Sequence, residues 1–221
     1  MALGLQTESG GGGDFTPILK FDARAGRMFR VDRTQDASGS WNTDNVEVTN
    51  GFQAVMDLEQ VQVGWCLFAA GVQPSFSLVP LGQALPAKPS DQHKQGFKML
   101  LKLGKSIGGE VRELSATSKA VLSAVDDLHT AYEAQKAQHP GQLPVVAMTG
   151  SKAIVSTGQG KSSTNYAPIF EIVKWVDRPA DLPLAANGNT PSPTTPPVES
   201  AQPVQQMRAT TQAAPADEEE F

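Results

Sequence analysis

The sequence predicts a mainly β domain: an antiparallel Greek-key barrel with one helix inserted between late strands, followed by a disordered C-terminal tail. Three observations carry this. Segments with apolar residues at every second position recur between residues 15 and 176, the period of a half-buried strand. Only residues 117–138 show apolar residues at helical spacing, whereas a parallel α/β sheet needs a helix after most strands. From residue 183 the chain is rich in Pro, Ala, Thr, Ser, Asn and Gln, and such a segment cannot bury enough apolar area to offset the entropy of ordering.

The elements follow in order. Residues 1–14 hold Gly10 to Gly13 and read as a flexible N-terminal segment. Phe15–Asp22 reads as a strand, 23–26 as a turn and Arg27–Arg33 as a second strand. Gln35–Asn45 reads as a polar loop containing Trp41. Asn50-Gly51 is a turn signal. Beyond it, Phe52, Ala54, Met56 and Leu58 alternate with polar residues, then Val61, Val63, Trp65 and Leu67 continue out of phase. That shift predicts one long strand with a bend or bulge. Pro74–Val79 is a short strand before a Pro-rich loop. Phe97–Leu103 alternates most cleanly: Phe97, Met99, Leu101 and Leu103 on one face, Lys98, Leu100 and Lys102 on the other, with two amines offered to solvent. Val111–Leu114 returns. Val121, Val125, Leu128 and Tyr132 then mark a helix, capped by Ser115 or Thr117 and ended by His139-Pro140-Gly141. Strands resume at 144–149, 153–156 and 168–176. Seven or eight strands with one late helix is the layout of an oligonucleotide/oligosaccharide-binding (OB) fold. The domain runs over 15–182, and 183–221 is linker and tip.

The net charge of −5 is unevenly spread. Residues 183–221 carry five acids against Arg208, leaving a body with 18 acids and 17 bases. Cys66 is the only cysteine, which excludes an intramolecular disulfide and a cysteine zinc cluster. Its apolar neighbours predict a buried, inert thiol. No apolar run of membrane-spanning length and no signal-peptide pattern is present, so an intracellular soluble protein with no membrane partner is expected.

Catalysis finds little support. His93, His129 and His139 are scattered without metal-ligand spacing, and no nucleophile elbow occurs. Gly158–Ser163 invites a phosphate-loop reading, but Val155 stands where that loop needs a Gly, and a strand follows instead of a helix. A hairpin tip carrying Lys161 and Tyr166 is expected there. No enzyme activity, cofactor or metal is therefore expected.

A polyanion ligand fits better. Cations cluster with aromatics in three places: Lys20, Arg24, Arg27, Arg30 and Arg33 with Phe29 and Trp41; Lys94, Lys98, Lys102 and Lys105 beside Phe97, with no acid among them; and Lys152, Lys161, Lys174 and Arg178 with Tyr166 and Trp175. Single-strand binders pair cations along the backbone with rings that stack bases. The candidate stacking rings are Phe29, Trp41, Tyr166 and Trp175; Phe97, Trp65 and Phe170 are expected in the core. Val31, on the face shared by Arg27 and Phe29, argues against a contact surface there. The tip, Asp217-Glu218-Glu219-Glu220-Phe221, reads as a short linear motif whose carboxylates imitate phosphates and whose Phe221 anchors in an apolar hole. The 34 residues of linker reach roughly 30 Å.

This combination resembles the acidic-tailed single-stranded DNA-binding proteins of bacteria and tailed phages. The resemblance lies in the β-rich body, the Pro/Gln/Thr/Ala tether and the 217–221 tip, and in the stretches 23–32 (ARAGRMFRVD) and 166–176 (YAPIFEIVKWV), which look like phage members. Bacterial members commonly carry Pro before the last Phe; here Glu220 stands there, which points to a phage or prophage origin and the host cytoplasm. The resemblance implies an OB fold that coats DNA during replication or recombination and a tip that recruits replication proteins. A tip imitating phosphates is expected to compete for the DNA groove. Two alternatives stay open: a non-enzymatic structural or adaptor protein with a solubilising tail, and a nucleic-acid enzyme built on Asp126-Asp127. A homo-oligomer stays open as well.

Overall fold

The computed structural model describes residues 16–70, 72–158 and 161–184, without the side chains of Ser156 and Lys161. These belong to the first of two units into which the chain divides, 1–189 and 190–221. The expected flexible segment 1–14, the Gln159-Gly160 hairpin tip, most of the linker and the acidic tip lie outside the described residues.

Among the described residues the fold is mainly β with one α-helix. The strands are β1 (Ile18–Asp22), β2 (Arg27–Gln35), β3 (Trp41–Glu47), β4 (Gln53–Met56), β5 (Gln62–Leu67), β6 (Ser75–Pro80), β7 (Lys94–Leu103), β8 (Val111–Ala116), β9 (Gln142–Gly158) and β10 (Lys161–Asp177), with α1 (Lys119–Gln135) between β8 and β9. They form one open sheet in the order β10-β9-β4-β7-β8-β1-β2-β3, with β5 pairing β7 and β6 beside this path. The expectation of a wholly antiparallel sheet is corrected by one pair, because β1 runs parallel to β8. Some ninety residues separate those strands, so no tight hairpin imposes a direction on them.

β7 organises the core. Phe97, Met99, Leu101 and Leu103 are all almost fully buried, as their alternation predicts. β4 and β5 pair with the same edge of β7, β4 at Leu101–Leu103 and β5 at Lys94–Lys98. Between them a 3-10 turn at Leu58–Gln60 replaces the expected bend; this is the phase shift seen in the sequence. Helix α1 lays Val121, Val125, Leu128 and Tyr132 onto that core. Burying one such side chain contributes about 1.5–3 kcal/mol. The helix starts later than expected: Ser118, with no side-chain capping bond, holds the cap position assigned to Ser115 or Thr117. It ends before a turn in which Gly141 takes φ +77°.

Two strands depart from expectation. Residues 41–47 form β3 although 35–45 reads as a loop; every residue of β3 is exposed, so no apolar alternation marks it, and its ladder to β2 holds it. Residues 144–149 and 153–156 belong to one strand, β9, continuous through Gly150 because β10 pairs along its whole length. Tyr166 therefore lies opposite Ala153, well below the hairpin tip.

Phe97 is core, as expected. Phe170 is half-buried, tilted against Phe52 at 6.4 Å. Trp65 is half-buried, its indole N–H donating to the Pro86 carbonyl at 2.8 Å. Cys66 is buried, and burial pushes its thiol up to about 11, too high to supply thiolate at neutral pH. Among the described residues no helix is long and apolar enough to cross a membrane.

Candidate nucleic-acid interface

Residues directly opposite in a ladder share a face of the sheet, so the register says which predicted side chains come together. Lys98 lies opposite Ser115, Leu100 opposite Glu113, and Glu113 opposite Ile18. Ile18 lies opposite Val31 and Lys20 opposite Phe29; Phe29 faces Glu47, Arg33 faces Thr43 and Gln35 faces Trp41. One outer face therefore runs from β7 across β8, β1 and β2 to β3. It carries Lys98, Lys102, Lys20, Arg27, Phe29, Arg33 and Trp41. The row on β2 alone, from Arg27 to Gln35, is ~26 Å long at the usual strand rise.

Trp41 is 66% exposed, an unobstructed ring at the end of that row. Phe29 is half-buried between Lys20 and Glu47. Val31 is only 6% exposed, so the middle of the row is an apolar floor shared with half-buried Ile18 and Leu100, with cations and rings around it. Phe76 of β6 reaches the same face, its ring 5.2 Å from the Lys98 ammonium; its place in a short strand gave no sign of this.

Several predicted residues are held by partners the sequence does not reveal. Arg27 pairs with Glu47 at 2.9 Å, Lys98 with Glu113 at 2.8 Å, and Lys102 with Asp181. The second cluster, with no acid inside it, thus meets two acids in three dimensions, and Lys98 and Lys102 are half-buried where the strand pattern predicts solvent. Asp181 is held below the usual carboxylate range by the Lys102 hydrogen bond. Arg30 lies opposite Leu19, on the inner face, with Nε 3.1 Å from Asp32 and Nη1 donating to the Ile107 carbonyl at 3.1 Å. Strand alternation splits the run of arginines between two faces.

The remaining candidates form other groupings. Arg24 is exposed on the β1–β2 turn, whose Asp22 carboxylate accepts the N–H groups of Arg24 (2.8 Å) and Ala25 (3.2 Å) and is lowered by them. Tyr166 meets this turn: its N–H donates to the Ala23 carbonyl at 2.6 Å, and its ring crowds Gly26, where a Cβ would sit 3.0 Å from it at φ +67°. Lys152, opposite Ala167, is on the other face from Tyr166, beside Asp127 and Ile154 near α1. Lys105 is exposed in the 3-10 turn after β7, the turn whose Ile107 receives Arg30. Trp175 is half-buried, stacked on His139 at 4.5 Å and Tyr132 at 5.6 Å, away from the outer face. The Lys161 side chain lies outside the described residues, as do Asp217, Glu218, Glu219, Glu220 and Phe221.

The histidines have local partners: His93 with Ser90 (2.8 Å), His129 with Glu133 (3.8 Å) and His139 with Trp175. Among the described residues no group of His, Cys, Asp and Glu could hold a metal ion. Compared with protein-family models, curated proteins and solved structures, the chain matches none.

Proposed function

We propose that the chain is a sequence-nonspecific single-stranded DNA-binding protein of the acidic-tailed kind, acting in replication or recombination and of phage type. The observation that carries this reading is the outer face from β7 to β3, where Arg27, Phe29 and Arg33 on β2, Lys20, Lys98, Lys102 and the exposed Trp41 surround an apolar floor, the β2 row alone being ~26 Å long. Every base has a π face, so exposed rings hold a strand without reading its sequence, at about 1–3 kcal/mol per base. Strand order supports an OB-type barrel. The path β10-β9-β4-β7-β8, with α1 between β8 and β9, is the succession 5-4-1-2-3 of a five-stranded Greek-key barrel. The β1–β2 hairpin occupies the seam between the last and third strands of that barrel, bridged by the Tyr166 N–H to Ala23. In an OB fold the second and third strands, here β7 and β8, bind oligonucleotides.

The tip Asp217–Phe221 competes for this face and, when displaced by DNA, recruits replication proteins. A labelled thymidine oligomer, titrated by fluorescence at two salt concentrations, tests both claims. The full chain binds, and binding weakens with salt; removal of 217–221 tightens it, most at low salt. An oligomer that tumbles freely with both proteins overturns the reading.

A further inference from the structure

The proposal here rests on the strand-binding reading of the outer face and concerns how that face is regulated. We infer that Asp181 is an internal stand-in for a DNA phosphate, held on Lys102 by the folded body and displaced when a strand binds.

Lys102 projects from the outer face of β7, and Asp181 is the acid that caps it. Asp181 comes from a segment 79 residues away, and that segment is fastened on both sides of it. Three residues earlier, Arg178 bonds the almost fully buried carboxylate of Asp57. One residue later, Leu182 is 2% exposed, and its N–H donates to the Pro179 carbonyl at 3.0 Å. The Asp181 carboxylate itself stays about half exposed (55%), and Lys102 is the only side-chain donor bonded to it among the described residues. It therefore swings into water at little cost once the ammonium turns elsewhere, because an exposed pair contributes little. A phosphate offers that ammonium the same anionic oxygens. Glu113 on Lys98 differs: it is 14% exposed and built into β8, so it belongs to the wall of the face.

The latch predicts a loss of competition when its charge is removed. Asp181→Asn tightens binding of a labelled thymidine oligomer by about two- to fivefold at low salt, the span an exposed ion pair allows. It also steepens the plot of log affinity against log salt by about 0.7, because one more lysine then counts toward phosphate. In a Lys102→Ala background the same substitution changes neither quantity. If the unaltered chain binds and Asp181→Asn leaves affinity unchanged, the latch is overturned while the strand-binding reading stands. Equal tightening with and without Lys102 also overturns it, as a general effect of net charge. Absence of binding by all four proteins, each still folded by circular dichroism, removes the strand-binding reading and the latch with it.

Discussion

Arg112 and Lys102 face each other's neighbours across the β7–β8 ladder, Leu101 opposite Arg112 and Lys102 opposite Val111, and both are cations held by carboxylates. Their surroundings separate them. The Arg112 side chain is 3% exposed on the inner face, with Nη2 at 2.6 Å from both Asp32 and Glu110 and Nη1 donating to the Val31 carbonyl at 3.0 Å. Lys102 meets one carboxylate at the rim of the outer face. A buried cation that loses its partners keeps its desolvation cost, so it is locked. A cation at the surface exchanges one anion for another almost freely. The inner-face pair around Arg112 therefore acts on stability, whereas the half-exposed carboxylate on Lys102 is the more easily exchanged.

The largest expected effect lies on the inner side. Arg112→Ala opens a cavity on the inner face and leaves the Val31 carbonyl without its side-chain donor, while Asp32 keeps Arg30, and urea unfolding should show a loss of about 2–3 kcal/mol; a loss under about 1 kcal/mol would erase the distinction between the two cations. Arg112→Met, similar in volume, should recover much of it. Next comes the exposed ring. Trp41→Ala should weaken binding of the thymidine oligomer by about 1–3 kcal/mol and shift stability by under about 0.5 kcal/mol, since β3 buries nothing. A stability change as large as that of Arg112→Ala would make Trp41 part of the fold. The smallest effect is acidic. Asp181 has its pKa lowered from 3.8, first by the Lys102 hydrogen bond. A depressed carboxylate pKa contributes stability that is present above 3.8 and lost as pH falls through the folded value. An NMR titration should place the Asp181 midpoint below 3.8 in the unaltered chain and move it upward in Lys102→Ala.

Much of the strand layout was readable because burial leaves a local signature. Phe97 to Leu103 alternates since one face meets the core and the other does not, and Val121 to Tyr132 repeats at helical spacing for the same reason. β3 left no signature: it buries no side chain, and only its backbone ladder to β2 defines it. The outer face was legible in part. Arg27, Phe29 and Arg33 share it because strand alternation is a local property, whereas Trp41 joins them only through the β2–β3 register; Arg30 was counted with them although alternation turns it inward. Trp175 gave no hint in one dimension that His139 and Tyr132 would stack on it.

The sequence alone determined which segments bury a face, where the single helix falls, that Cys66 is enclosed, and how charge divides between body and tail. Each of these depends on neighbours a few residues apart. The tertiary structure decided that β1 joins β8 in parallel, that the lysines of β7 acquire Glu113 and Asp181, and that Arg112 closes on Asp32 and Glu110. Most of those contacts join residues far apart along the chain, and their partners are chosen by how the elements pack, which no local pattern encodes.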